Sequence, residues 1–290
     1  MSNEFEFEVD GRKVYTGMKM PEVKPIFTSF TPHPRPARLS LDRIAKLVSN
    51  PNIVPVRQAY ANEVDWFNQG RRSSCNAYAM GWGMSVLNWR HTGKKVRLSP
   101  EWTYAKINGG KDQGSHLDDG MKEGWDFGMP AYDQRLYEQF NMRSIQKNME
   151  LGRWAAESCN DHKYAVCYQA ATDTFENMMM DLYSCVASGG IVILAVHVGA
   201  NYQKSRDIAG FDDGPGNHAI GATDIVLKTP KPQSIEDLLL DSPQTWSKRF
   251  GVNGFTKIGS KLLHKPGQYH AMYCVNAVTA ERDQLPDCRA

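Results

Sequence analysis

The chain has 290 residues, 41% of them hydrophobic and 23% charged, with a formal net charge of +2. That balance describes a globular protein able to bury a substantial core, as one large domain or two closely packed lobes. It excludes a strongly charged surface, and no dense basic run with interleaved aromatics marks nucleic acid as a partner.

The longest apolar run, residues 190–196, is far too short to cross a bilayer, so no membrane association is expected. The first residues are acidic and carry no apolar leader, which predicts a cytoplasmic location, in the host cytoplasm or a virion if the origin is viral. Six cysteines stand at 75, 159, 167, 185, 274 and 288. In a chain of this length without a leader they are expected to be free thiols. No pair has CxxC spacing, so a zinc site is not supported, and the thiol–imidazole chemistry considered below needs no metal or organic cofactor.

Residues 1–50 are read as an extension before a main domain at 51–290. Its stretch from Phe27 to Pro36 is too rich in proline for a helix or a central strand, whereas 39–48 has helical spacing. A strap, a pro-segment or a partner-binding arm would each fit. From Cys75 to His91 apolar residues fall on nearly every face, with Gly93 as a stop, which predicts a buried central helix.

A second helix is expected from Ser115 to about Gly128, Asp118 completing a capping box, and a third over 175–186. Beyond Gly190 the pattern changes to strands at 191–198, 219–227, 237–241, 255–258 and 268–278. The fold class is therefore α+β. A helical lobe at about 66–170 is expected to meet a β-rich, barrel-like lobe at about 185–280, with a cleft between them.

Two motifs carry chemistry. Gln69 stands six residues before Cys75, and His218 follows a small-residue loop far downstream. A thiol at a helix N-terminus is biased toward thiolate. An upstream amide can hold an oxyanion, and an imidazole can take and return a proton. His197, inside an apolar strand, reads as a core residue, and His264 and His270 flank a loop.

These pieces resemble the papain-like cysteine peptidases. Asn68-Gln69-Gly70 through Cys75-Asn76-Ala77-Tyr78 is similar to the nucleophile region, and a His follows at the family's spacing of about 130–150 residues. Leu98-Ser99-Pro100-Glu101 resembles the segment after the central helix, and Asp112-Gln113-Gly114-Ser115 resembles bacterial and phage-type members. Trp246 through Phe250-Gly251-Val252-Asn253-Gly254-Phe255 is similar to the closing Trp-Gly-x-Asn-Gly-Tyr signature.

The chain departs from the family at Asn76, where an aromatic residue usually follows the nucleophile, and at Arg71–Ser74, where a paired cysteine is absent. The resemblance implies a cysteine endopeptidase acting on a protein or peptide substrate. Cys75 would be the nucleophile, His218 the acid–base, Gln69 the oxyanion donor, and Trp246 the shield over the His–polar pair. A third polar residue would orient the imidazole. Matching the end of the preceding strand gives Asp241, the preferred candidate; counting back from Asn253-Gly254 without gaps gives Gln244. Substrate backbone pairing is expected at Gly109-Gly110 or at Gly114-Ser115, where glycine permits close approach. The alternatives are a non-catalytic binding or structural protein of the same fold, and a peptidoglycan endopeptidase or amidase.

Overall fold

The computed structural model describes residues 6–9, 12–15, 18–19, 35–170, 173–210, 216–263 and 272–278. The proline-rich stretch up to residue 34, Gly214-Pro215 of the loop before His218, His264, His270 and Cys288 lie outside these residues.

The chain opens with an antiparallel pair, β1 (Glu6–Val9) and β2 (Arg12–Tyr15), then a short strand, β3 (Met18–Lys19). Helix α1 (Leu41–Val48) starts where Ser40 Oγ accepts the Arg43 N–H, and it buries Ile44 and Ala45. Just before it, Asp181 holds Arg38, whose Nε lies 2.7 Å from Oδ1. A short helix α2 (Val56–Ala59) leads into the helical half.

The central helix α3 (Cys75–Thr92) is buried from Cys75 to Leu87, matching its all-round apolar pattern. It ends at Gly93, whose φ of 73° is the left-handed cap that lets its N–H reach Trp89 O. Helix α4 (Pro100–Ile107) has its proline in the first turn. The two-residue strand β4 (Ser115–His116) comes before α5 (Leu117–Asp126), so the expected helix begins two residues late. The reason is that Ser115 does not cap: its Oγ accepts from the Asn76 side chain, and its backbone pairs as a strand.

Helices α6 (Gln134–Glu138), α7 (Met142–Lys147) and α8 (Met149–Ser158) surround a small core of Leu136, Ile145, Leu151 and Ala155. Then comes β5 (Tyr164–Gln169), a strand within a region read as helical. Helix α9 (Phe175–Ala187), capped by Thr174, agrees with the expected third helix.

The remaining elements are β6 (Ile191–Val198), α10 (Ala200–Gln203), β7 (Gly216–Ala222), β8 (Asp224–Leu227), β9 (Leu238–Pro243), β10 (Phe255–Gly259), α11 (Ser260–Leu263) and β11 (Met272–Val278). The expected strand 219–227 is two strands in different sheets, broken at Thr223. One antiparallel sheet has the order β5-β11-β6-β7, a second the order β10-β9-β8, and β3 pairs with β4 in parallel.

Helix α3 packs on β6, β7 and β11, which joins the two halves. One large core lies around α3, and another fills the space between α9 and the sheets. The five described cysteines are free thiols. Among the described residues no helix is long and apolar enough to cross a membrane.

Candidate functional site

The loop before α3 is held at both ends. The Gln69 N–H donates to Thr245 O at 2.8 Å, and Thr245 Oγ1 donates to Gln69 Oε1 at 2.5 Å. Gln69 Nε2 donates to Arg72 O at 2.8 Å. The Ser73 N–H donates to Asp112 Oδ1, which also accepts from the Tyr104 hydroxyl. These bonds set Cys75 as the first residue of α3, with its side chain fully buried.

His218 lies on β7, opposite Val196 of β6. The Ala219 N–H, next along β7, donates to Cys75 Sγ at 3.4 Å across 144 positions of sequence. The thiol of the first half therefore rests on the histidine-bearing strand of the second. The His218 ring stacks on Trp246, with centroids 4.5 Å apart and planes at 24°. Tyr202 and Phe250 pack edge-on to Trp246, and Tyr202 also meets His218 edge-on. Among the described residues neither ring nitrogen of His218 has a hydrogen-bond partner. Burial alone pushes its pKa down to about 3, so the ring is neutral at pH 7.

The two candidates for a third polar residue go to different places. Arg57 grips Asp241 with two bonds, Nε to Oδ2 at 3.0 Å and Nη2 to Oδ1 at 2.6 Å. Strand alternation explains why. Ser242, next to it on β9, sends its Oγ to Gly221 O on β7, so Asp241 faces the other way. Gln244 is buried beyond the end of β9; its Oε1 accepts from the Tyr202 hydroxyl at 2.9 Å, and its Nε2 donates to Thr256 Oγ1 at 2.8 Å. Burial raises the Tyr202 phenol well above its usual range and keeps it a donor. Gln244 thus sits one hydrogen bond from a ring that touches His218.

The closing signature has a local cause. Gly251, Asn253 and Gly254 have φ of 66°, 53° and 81°, so the chain turns sharply between Trp246 and β10. The turn feeds Gly254 O back to the Gln244 N–H at 2.8 Å.

The glycine-bearing loops also differ from one another. Gly109 and Gly110 have positive φ with open space around them, and the Gly110 N–H bonds Asn108 within its own turn. The Gly114–Ser115 segment is tied to α3 instead. Asn76, fully buried, donates from Nδ2 to Ser115 Oγ at 3.1 Å and to His116 O at 2.7 Å. Met18 and Lys19 pair with Ser115 and His116, and β3 also lies against β7. Met18–Lys19 therefore lies against both β4, which is bonded to Asn76, and β7, which is bonded to Cys75. Sequence reasoning treated Asn76 only as a departure; its signal was a polar residue in an otherwise apolar first turn of a buried helix.

With this geometry in place, solved structures give the comparison. Xylellain, a cysteine protease from Xylella fastidiosa, superposes with a TM-score of 0.59 at 16% identity, over 91% of this chain and 96% of its own. Digestive procathepsin L 3 of Tenebrio molitor larval midgut gives a TM-score of 0.56 at 14% identity, covering 82% and 77%. The fold is papain-like. ProCathepsin B S9 from Trypanosoma congolense adds a TM-score of 0.53 at 12% identity, covering 92% and 87%. No family model matches the sequence, and no curated protein does. These structures come from a bacterium, an insect and a trypanosome, and they lend no support to a viral origin. On this fold, α3 and β7 are the elements that carry the candidate nucleophile and base.

Proposed function

We propose that the protein is a cysteine endopeptidase hydrolysing peptide bonds in protein or peptide substrates. The observation that carries this reading is the bond from β7 to the Cys75 thiol, beside a His218 stacked under Trp246. In the reaction, His218 takes the Cys75 thiol proton as the sulfur attacks the scissile carbonyl, and the Cys75 N–H with the Gln69 amide receives the oxyanion. His218 protonates the leaving amine and then takes a proton from the water that hydrolyses the acyl-enzyme. Because Arg57 already holds the Asp241 carboxylate, Gln244 is the better candidate to orient the imidazole, directly or through Tyr202. Trp246 shields that pair from water, which strengthens any hydrogen bond beneath it.

The Ser115–His116 edge is the better candidate for pairing with substrate backbone, since an extended strand of this chain already lies on it. Residues 1–50 would then act as a pro-segment that occupies the edge until displaced.

A non-catalytic binding protein is the second reading. It is favoured by a buried imidazole with no hydrogen-bond partner among the described residues. Labelling with an epoxysuccinyl peptide, followed by mass spectrometry, separates the two. Stoichiometric modification of Cys75 that is lost in His218→Ala supports the peptidase. No modification of Cys75, with residues 1–34 present or removed, supports the binding protein.

A further inference from the structure

We infer that Asn76 is a positioning residue for substrate recognition, which rests on the peptidase reading above. It is the residue after the nucleophile, in the first turn of α3, and it has no exposed surface. Its two hydrogen bonds end on one element, β4: the Ser115 hydroxyl and the His116 carbonyl. That element has a backbone edge that accepts an extended strand, with Met18 opposite Ser115 and Lys19 opposite His116. One side chain therefore connects the turn that carries the thiol to the strand that receives a peptide backbone.

The amide has little freedom to do anything else. Helix α5 closes over it at Gly120, where a Cβ would stand 2.6 Å from Asn76 Oδ1 and 2.7 Å from Nδ2. Its orientation is fixed by chemistry as well. Only the Nδ2 end can donate to a carbonyl, so the reverse orientation would set two acceptors against each other. Oδ1 is left without a partner among the described residues, a cost that a buried group bears when the opposite end is strongly held.

The consequence is geometric. A peptide lying on β4 presents its scissile carbonyl at a distance from Cys75 set by how β4 sits on α3. Displacements of about 1 Å in such an alignment lower rates by about 100-fold in other enzymes. Asn76 holds that distance without touching the substrate or the reacting atoms. A small thiol reagent, which does not use β4, needs no such alignment.

The test uses the full chain, and the same chain freed of residues 1–34 so that the β4 edge is open, with two reagents that both alkylate Cys75: iodoacetamide and an epoxysuccinyl dipeptide. Asn76→Leu keeps the volume and removes both bonds. The expected result is a loss of about 10-fold in the rate with the dipeptide reagent, with the iodoacetamide rate unchanged; two net hydrogen bonds are worth about that much. Ser115→Ala removes one bond and should give a smaller loss in the same selective sense. Equal losses with both reagents would mean that Asn76 acts on the thiol or on the fold and would overturn the inference, as would no loss with either. A wild-type protein whose Cys75 reacts no faster with the dipeptide than with iodoacetamide, with residues 1–34 present or removed, would instead refute the peptidase reading itself.

Discussion

His218 should make the folded protein acid-sensitive, and the size of the effect follows from its burial. Its pKa falls from an ordinary 6.5 to about 3 in the fold, because among the described residues no charged or hydrogen-bonding partner offsets the loss of water. A histidine depressed in this way contributes stability that is present above pH 6.5 and is lost as pH falls toward 3, since the unfolded chain takes up the proton first. Each pH unit within that window is worth up to about 1.4 kcal/mol, so lowering the pH from 7 to 5 removes about 2 kcal/mol through this one group. The perturbation is His218→Phe, which keeps a ring against Trp246 and deletes the titration. Urea unfolding of both proteins at pH 7 and pH 5 reads the difference, because all other titrating groups are common to the pair. The wild type should lose about 2 kcal/mol more than the variant. Equal losses would refute the claim that the imidazole is buried and unpartnered at rest.

Three further outcomes are expected. Gln244→Ala should lower kcat more than Asp241→Ala in a peptide-cleavage assay; the reverse order would put Asp241 back beside the imidazole. Arg57→Ala should destabilise the fold by about 3 kcal/mol in urea melts, because it leaves the Asp241 carboxylate buried without its counter-ion, and the milder Asp241→Asn should cost less. Gly254→Ala should lower stability by about 2 kcal/mol or more, since φ is 81° and the new Cβ would stand 2.2 Å from Val64 Cγ1. A neutral effect there would mean that the turn before β10 relaxes freely.

The central helix was legible from sequence because burial on every side leaves a pattern that needs no partner to be recognised. Its start at Cys75 and its stop at Gly93 are both local signals. The expected order, a helical first half before strands, also follows from local periodicity, and the papain-like fold agrees with it. Strand β5 was not legible, since its reason for being a strand is β11, more than a hundred residues away. The apparent capping box at Ser115 failed for a similar reason. The hydroxyl that would cap α5 is taken by Asn76 from another helix.

At the site, the spacing of Gln69 and Cys75 was readable, because the loop between them is short and locally closed. The choice between Asp241 and Gln244 was not. It depends on which face of β9 turns toward β7, and that parity is set by Ser242 reaching Gly221. Nor does sequence spacing say that His218 has no hydrogen-bond partner among the described residues, because that is a property of packing around Trp246.

The most direct measurement is cleavage of an unfolded protein substrate under reducing conditions by the wild-type chain and by Cys75→Ala, with melting curves to confirm that both are folded. The account predicts cleavage by the wild type and none by the variant. Cleavage that survives in Cys75→Ala, or its absence from a wild type freed of residues 1–34, would contradict it.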